Sequence, residues 1–166
     1  MGLNVRRIAV TFIIVLLILY GGKAACYNLR VSKPLHQYFQ TQTCIADYSI
    51  YTHTDGLHVK IKPNDVKVLQ SLYAQLRADI TEILGKTPFV IDITDERNPM
   101  LEEIFYSMRI HIEEALARGS FYDMSQAIDE KAKKAGLDKW DVGIDSDYIY
   151  VQLHQRESYL YEIIPR

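Results

Sequence analysis

Two of the five histidines stand close together, on either side of Asp55-Gly56. The flanking runs, Tyr48–Thr54 and Leu57–Lys62, alternate in polarity, and Asp-Gly between such runs is a strong signal for a two-residue hairpin turn. A turn centred on Asp55-Gly56 pairs Thr54 with Leu57, His53 with His58, Thr52 with Val59, Tyr51 with Lys60 and Ile50 with Ile61. Side chains alternate along a strand, so Ile50, Thr52, Thr54, Leu57, Val59 and Ile61 face inward, while Tyr51, His53, His58 and Lys60 meet water. Directly opposed residues hold their Cβ atoms about 4.5–5.5 Å apart. Two imidazoles at that separation can share a zinc or copper ion. The spacing fixes no third ligand, two ligands make a weak site, and the ordinary alternative is a pair of solvated histidines. No resident cofactor is expected.

His111 falls on the same helical stripe as Ile104, Met108 and Ala115. Its ordinary role is that of a half-buried, hydrogen-bonded histidine. The sharper alternative makes it an acid/base beside Asp92, Asp95 and Glu96, although no spacing brings these together. Asp92 alone, mid-strand and opposite the apolar face, is expected to be solvated or to pair with a basic residue of a neighbouring strand. Asp141, Asp145 and Asp147 lack the glycine and closing glutamate of a calcium loop and read as turn residues. The chain has no phosphate-binding glycine loop, HExxH, CxxC or GxSxG.

The last hairpin offers a different kind of surface. A five-residue loop, His154–Ser158, pairs Leu153 with Tyr159, Val151 with Tyr161 and Ile149 with Ile163, all facing the core. The opposite face then carries Tyr148, Tyr150, Gln152, Leu160, Glu162 and Ile164. An exposed apolar stripe of that size marks an interface; the alternative is that a helix covers it.

The elements that hold these residues begin with an apolar run, Ile8–Tyr20, after Arg6 and Arg7. Between Arg7 and Lys23 lie fifteen residues, roughly 22 Å of helix, short of the ~30 Å hydrocarbon core unless Lys23 snorkels. Residues 1–23 are expected to be a membrane anchor, with cleavage near Ala24 and secretion as the alternative. Residues 24–46 then form a stalk containing a short helix from Pro34 to about Thr43, and 47–166 an extracytoplasmic domain. In that domain Asn64 is expected to cap a helix ending at Gly85, and Phe89–Ile93 is a strand. Asn98-Pro99 opens a second helix ending at Gly119. Ser120-Phe-Tyr-Asp123 resembles a capping box and opens a third, which ends at Gly136. Strands at Trp140–Asp145, Tyr148–His154 and Ser158–Ile164 complete the set. The fold class is α+β: a single membrane helix, then a layered domain with a hairpin, an αβ unit, two helices and a three-stranded antiparallel unit.

From Pro34 to Thr94 the order is helix, strand, strand, helix, strand. That order resembles the small αββαβ modules of bacterial envelope proteins, such as BON domains and ring-building modules, over about sixty residues and in element order alone.

Charge is divided unevenly. Residues 1–46 hold five basic residues and no acid; the remainder holds 21 acids against 14 basic residues, a net of −7. An anionic domain is a poor partner for phosphate backbones, so nucleic acid is not expected. Cys26 and Cys44 are read as unpaired thiols, the alternative being a disulfide that ties the stalk to the start of the domain. The leading expectation is a membrane-anchored, outward-facing interaction module that self-associates or binds an envelope protein. The alternative is a secreted or anchored metal-dependent hydrolase using His53 and His58, or His111 with nearby acids.

Overall fold

The computed structural model describes residues 10–16, 27–54, 56–64 and 66–166. Of the apolar run, positions 10–16 are described and are helical, a length of about 10 Å. Among the described residues no helix is long and apolar enough to cross a membrane. This corrects the expected membrane helix, and with it the anchored fold class, the membrane as partner and the single-pass location. The rest of the run and Cys26 lie outside the described residues. Cys44 is a half-buried free thiol.

Contacts divide the chain into two units, residues 1–42 with 79–87 and residues 43–78 with 88–166. In the first, a π-helical turn, Asn28–Ser32, runs into α1, Lys33–Thr41, with Pro34 in its first turn. Proline suits that place because the N–H it lacks has no intrahelical acceptor there. Leu35 and Phe39 are buried, and the Tyr38 hydroxyl donates to Asp79 Oδ2 at 2.6 Å.

The second unit contains two three-stranded sheets. In sheet 1, β1 (Ile45–His53) runs antiparallel to β2 (Gly56–Pro63), and β3 (Phe89–Ile93) lies parallel to β2 on its other side. A parallel neighbour requires a crossover, which α2, Leu69–Leu84, provides. Leu57, Val59, Ile61 and Ile91 form the buried face of this sheet.

After β3 come α3, Pro99–Arg118, and α4, Phe121–Ala135. Asn98 caps α3 by accepting from the Leu101 N–H at 2.8 Å, and Gly119 ends it at φ 74°. Ser120 makes no side-chain cap, so the expected capping box does not form. Sheet 2 is β4 (Lys139–Ile144), β5 (Tyr148–Gln155) and β6 (Ser158–Pro165), all antiparallel. Ile149, Val151, Leu153 and Leu160 pack with Leu101, Met108, Ile112, Met124 and Ile128 in one core. A single antiparallel bridge, Glu96 to Tyr159, joins the two sheets edge to edge.

The start of α2 differs from expectation. Asn64 does not cap it; its side chain donates to Thr43 O and its backbone N–H to Cys44 O, both at 2.9 Å. The cap comes from Gln152 on β5, whose Oε1 accepts from the Leu69 N–H at 3.1 Å and whose Nε2 donates to Val66 O at 2.6 Å. A helix start leaves N–H groups without intrahelical partners, and here a fully buried amide supplies one acceptor. Close by, Gly143 lets α2 approach the sheet: a Cβ there would stand 2.6 Å from Gln70 Oε1 and 3.0 Å from Gln70 Cβ.

Candidate functional site

The outward face of sheet 1 gathers the histidine pair. Alternation along β2 turns His58, Lys60 and Lys62 away from the core, and β1 presents Asp47, Ser49, Tyr51 and His53 on the same side. His53 is opposite Gly56, and His58 is opposite Tyr51. The expected direct pairing of the histidines is therefore corrected by two residues, because positions 54 and 55, not 55 and 56, separate the strands. A slip of two keeps the alternation of each strand, so His53 and His58 remain diagonal neighbours with ring centroids 6.0 Å apart, but Thr52 and Thr54, expected to face inward, are exposed.

The partner that His58 gains is a carboxylate. The β2–β3 register places Lys60 beside Asp92 and His58 beside Val90. From there the Asp92 side chain reaches diagonally, with Oδ2 3.1 Å from His58 Nδ1. The Tyr51 hydroxyl donates to the same oxygen at 3.4 Å. The Tyr51 ring lies on the His58 ring at 5.2 Å and 14°. His58 is thus held on one face by an aromatic ring and at one nitrogen by a carboxylate. Its side chain is 15% exposed and that of Asp92 41%, so solvent screens the pair and it adds little to stability. Among the described residues no group of three or more His, Cys, Asp or Glu is placed to hold a metal ion. His53 and His58 alone are a weak ligand set.

The acids considered for His111 are engaged elsewhere. Asp95, its side chain 6% exposed, accepts from Arg97 Nη2 at 2.6 Å and from the Tyr161 N–H at 2.9 Å. Hydrogen bonding to Asp95 and Glu162 outweighs burial and holds the Arg97 guanidinium still more firmly protonated. Glu96 pairs with Lys62, and that hydrogen bond raises the Lys62 pKa. His111 is half-buried twelve residues beyond Pro99, about 18 Å down the helix that follows these acids. Asp145 does serve its turn, accepting from the N–H groups of Asp147 and Tyr148, both at 2.8 Å, and from the Tyr150 hydroxyl at 2.6 Å.

The expected interface stripe is divided between two faces. A two-residue turn, Arg156-Glu157, joins β5 to β6, with Arg156 at φ 54°. Leu153 therefore pairs with Leu160, Val151 with Glu162 and Ile149 with Ile164. Compared with a five-residue loop this is a slip of one, and a slip of one exchanges the faces of a strand. Tyr148, Tyr150 and Gln152 lie on the α2 side, where Tyr148 and Tyr150 meet the Tyr73 ring at 5.4 and 5.9 Å. Burial foremost, with Tyr148 beside it, pushes the Tyr73 hydroxyl up to about 12. Leu160, Glu162 and Ile164 lie on the other face, where Leu160 and Ile164 join the α3–α4 core. Tyr150, Gln152 and Leu160 are buried. Tyr148, Glu162 and Ile164 are half-buried, so the six residues form no single exposed stripe for self-association or an envelope partner.

On the open face of sheet 1, starting two residues along β2 from His58, lies a cleft of about 330 Å³, lined by Asp47, Tyr48, Ser49, Lys60, Lys62, Thr94 and Asp95. Sequence reasoning missed the Asp92–His58 pair because the order of strands in the sheet cannot be read from the hairpin alone. The one available signal was a mid-strand carboxylate that had to meet a basic neighbour.

No family model matches the chain, and neither the curated proteins nor the solved structures contain a match to it.

Proposed function

We propose that the outward face of sheet 1 is a hydrolytic site in which His58, held by Asp92, acts as general base and then general acid. The observation that carries this reading is the 3.1 Å contact between His58 Nδ1 and Asp92 on a solvent-reached face. A carboxylate at Nδ1 orients an imidazole and stabilises the imidazolium formed when its other nitrogen takes a proton. The substrate class is a carboxylic ester. His58 Nε2 takes a proton from water as the water oxygen bonds to the acyl carbon. The same proton passes to the leaving oxygen as its bond to the acyl carbon breaks. Ester and water become acid and alcohol, and His58 returns to its starting state. Tyr51, stacked on the ring, limits its rotation and shares the Asp92 oxygen.

Positioned acid–base catalysis contributes about 10²–10⁴-fold. The test measures hydrolysis of nitrophenyl esters by the purified chain. His58→Gln is expected to lower kcat/KM about a hundredfold, and Asp92→Asn about tenfold, with thermal unfolding unchanged. Activity in folded His58→Gln equal to that of the unsubstituted chain overturns the assignment.

A further inference from the structure

We infer that the ester carries a carboxylate at the far end of its acyl chain, received by Lys60 and Ser49 at the edge of the cleft that starts two residues along β2 from His58; this rests on His58 being the acid–base group. Lys60 and Ser49 are cross-strand partners, and both line the cleft. Opposed side chains on paired strands start about 4.5–5.5 Å apart, so an ammonium and a hydroxyl can close on one anionic group. The neighbouring carboxylates are already engaged. Asp92 holds His58, Glu96 holds Lys62, and Asp95 holds Arg97. Asp47 faces Lys62 across the strands and accepts the Tyr48 N–H at 2.8 Å.

Lys60 is left as a cation of the cleft with no ion-paired carboxylate among the described residues. An exposed lysine on a bare surface selects nothing. This one lies two residues along β2 from the acid–base histidine, on the same face. Two residues of strand span about 6.8 Å, the reach of an extended dicarboxylic monoester with its ester carbonyl at His58 and its carboxylate at Lys60.

The experiment compares the nitrophenyl monoester of adipic acid with nitrophenyl hexanoate, which matches it in length and lacks the charge. The unsubstituted chain is expected to favour the adipate ester about tenfold in kcat/KM, the yield of one charge-assisted contact. High salt narrows that ratio. Lys60→Gln brings it to about one, and Ser49→Ala lowers it by less. Equal kcat/KM on the two esters, or a preference that survives in Lys60→Gln, overturns the carboxylate subsite while leaving His58 in place. If neither ester is turned over, the hydrolytic reading falls. Adipate alone then decides the subsite: amide resonance shifts at Ser49 and Lys60 that vanish in Lys60→Gln support it, and their absence overturns it.

Discussion

Sheet 2 is covered on both faces, whereas sheet 1 buries one and leaves the other to solvent. Along β5 every residue from Ile149 to Leu153 is buried. Along β2 Leu57, Val59 and Ile61 are buried while His58, Lys60 and Lys62 turn outward. The difference decides which polar groups each sheet can hold. A buried polar group needs its hydrogen bonds made, so sheet 2 tolerates Gln152 as a fully bonded tie to α2. Sheet 1 can keep imidazole, ammonium and carboxylate groups within reach of a ligand because water supports them.

Substitution should separate the sheets. Gln152→Leu leaves the Leu69 N–H and Val66 C=O without their side-chain partner in the interior and is expected to cost about 3 kcal/mol. The matching change on the open face, Lys60→Leu, is expected to stay within about 0.5 kcal/mol. Urea unfolding of the two variants measures the contrast, and equal losses would remove the distinction between covered and open sheets. Gly143→Ala comes next, at about 1 kcal/mol, because the new methyl meets Gln70. In a Gln70→Ala background the same change should cost less, a coupling that a double-mutant cycle reads directly.

The smallest effect concerns acid. Burial works against the charge on Asp145. Hydrogen bonds from the Tyr150 hydroxyl and from the Asp147 and Tyr148 N–H groups, with Arg77 nearby, more than offset it and hold the carboxyl below its usual range. The resulting stabilisation is present above the unfolded pKa of about 3.9. It is lost as the pH falls through the lower folded value. Asp145→Asn should therefore flatten the acid limb of a stability profile without steepening the neutral region.

The two hairpins show which parts of the fold were legible from sequence. The sequence implies both hairpins, and the structure shifts both registers. In β1–β2 the shift is even and keeps the alternation, so the outward set Tyr51, His53, His58 and Lys60 stands. In β5–β6 the shift is odd, and Leu160, Glu162 and Ile164 change sides. Nothing in Arg156-Glu157 announces a turn, since arginine rarely takes positive φ. Gly56 announced one but serves another need. At φ 146° it begins β2, and a Cβ there would stand 3.3 Å from Pro88 O, the carbonyl that accepts the Leu57 N–H at 3.4 Å. The glycine signal was real, and its cause was the close approach of the chain entering β3. Helix ends set by neighbours in sequence were legible, as at Asn98 and Gly119. The start of α2 was not, because its cap comes from another strand. The His58–Asp92 pair was hidden for the same reason, being made by strand order.

The bond between Leu69 and Gln152 crosses 83 residues. A polypeptide made from its N-terminus at roughly 5–20 residues per second produces the beginning of α2 roughly 4 to 17 seconds before the side chain that caps it. During that interval β1, β2 and β3 can already find one another, but Leu69 has only water or a passing neighbour to bond. The final third of the chain therefore acts on the part made first, and a nascent chain stalled short of β5 would carry strands capable of pairing around a helix that cannot yet be fastened.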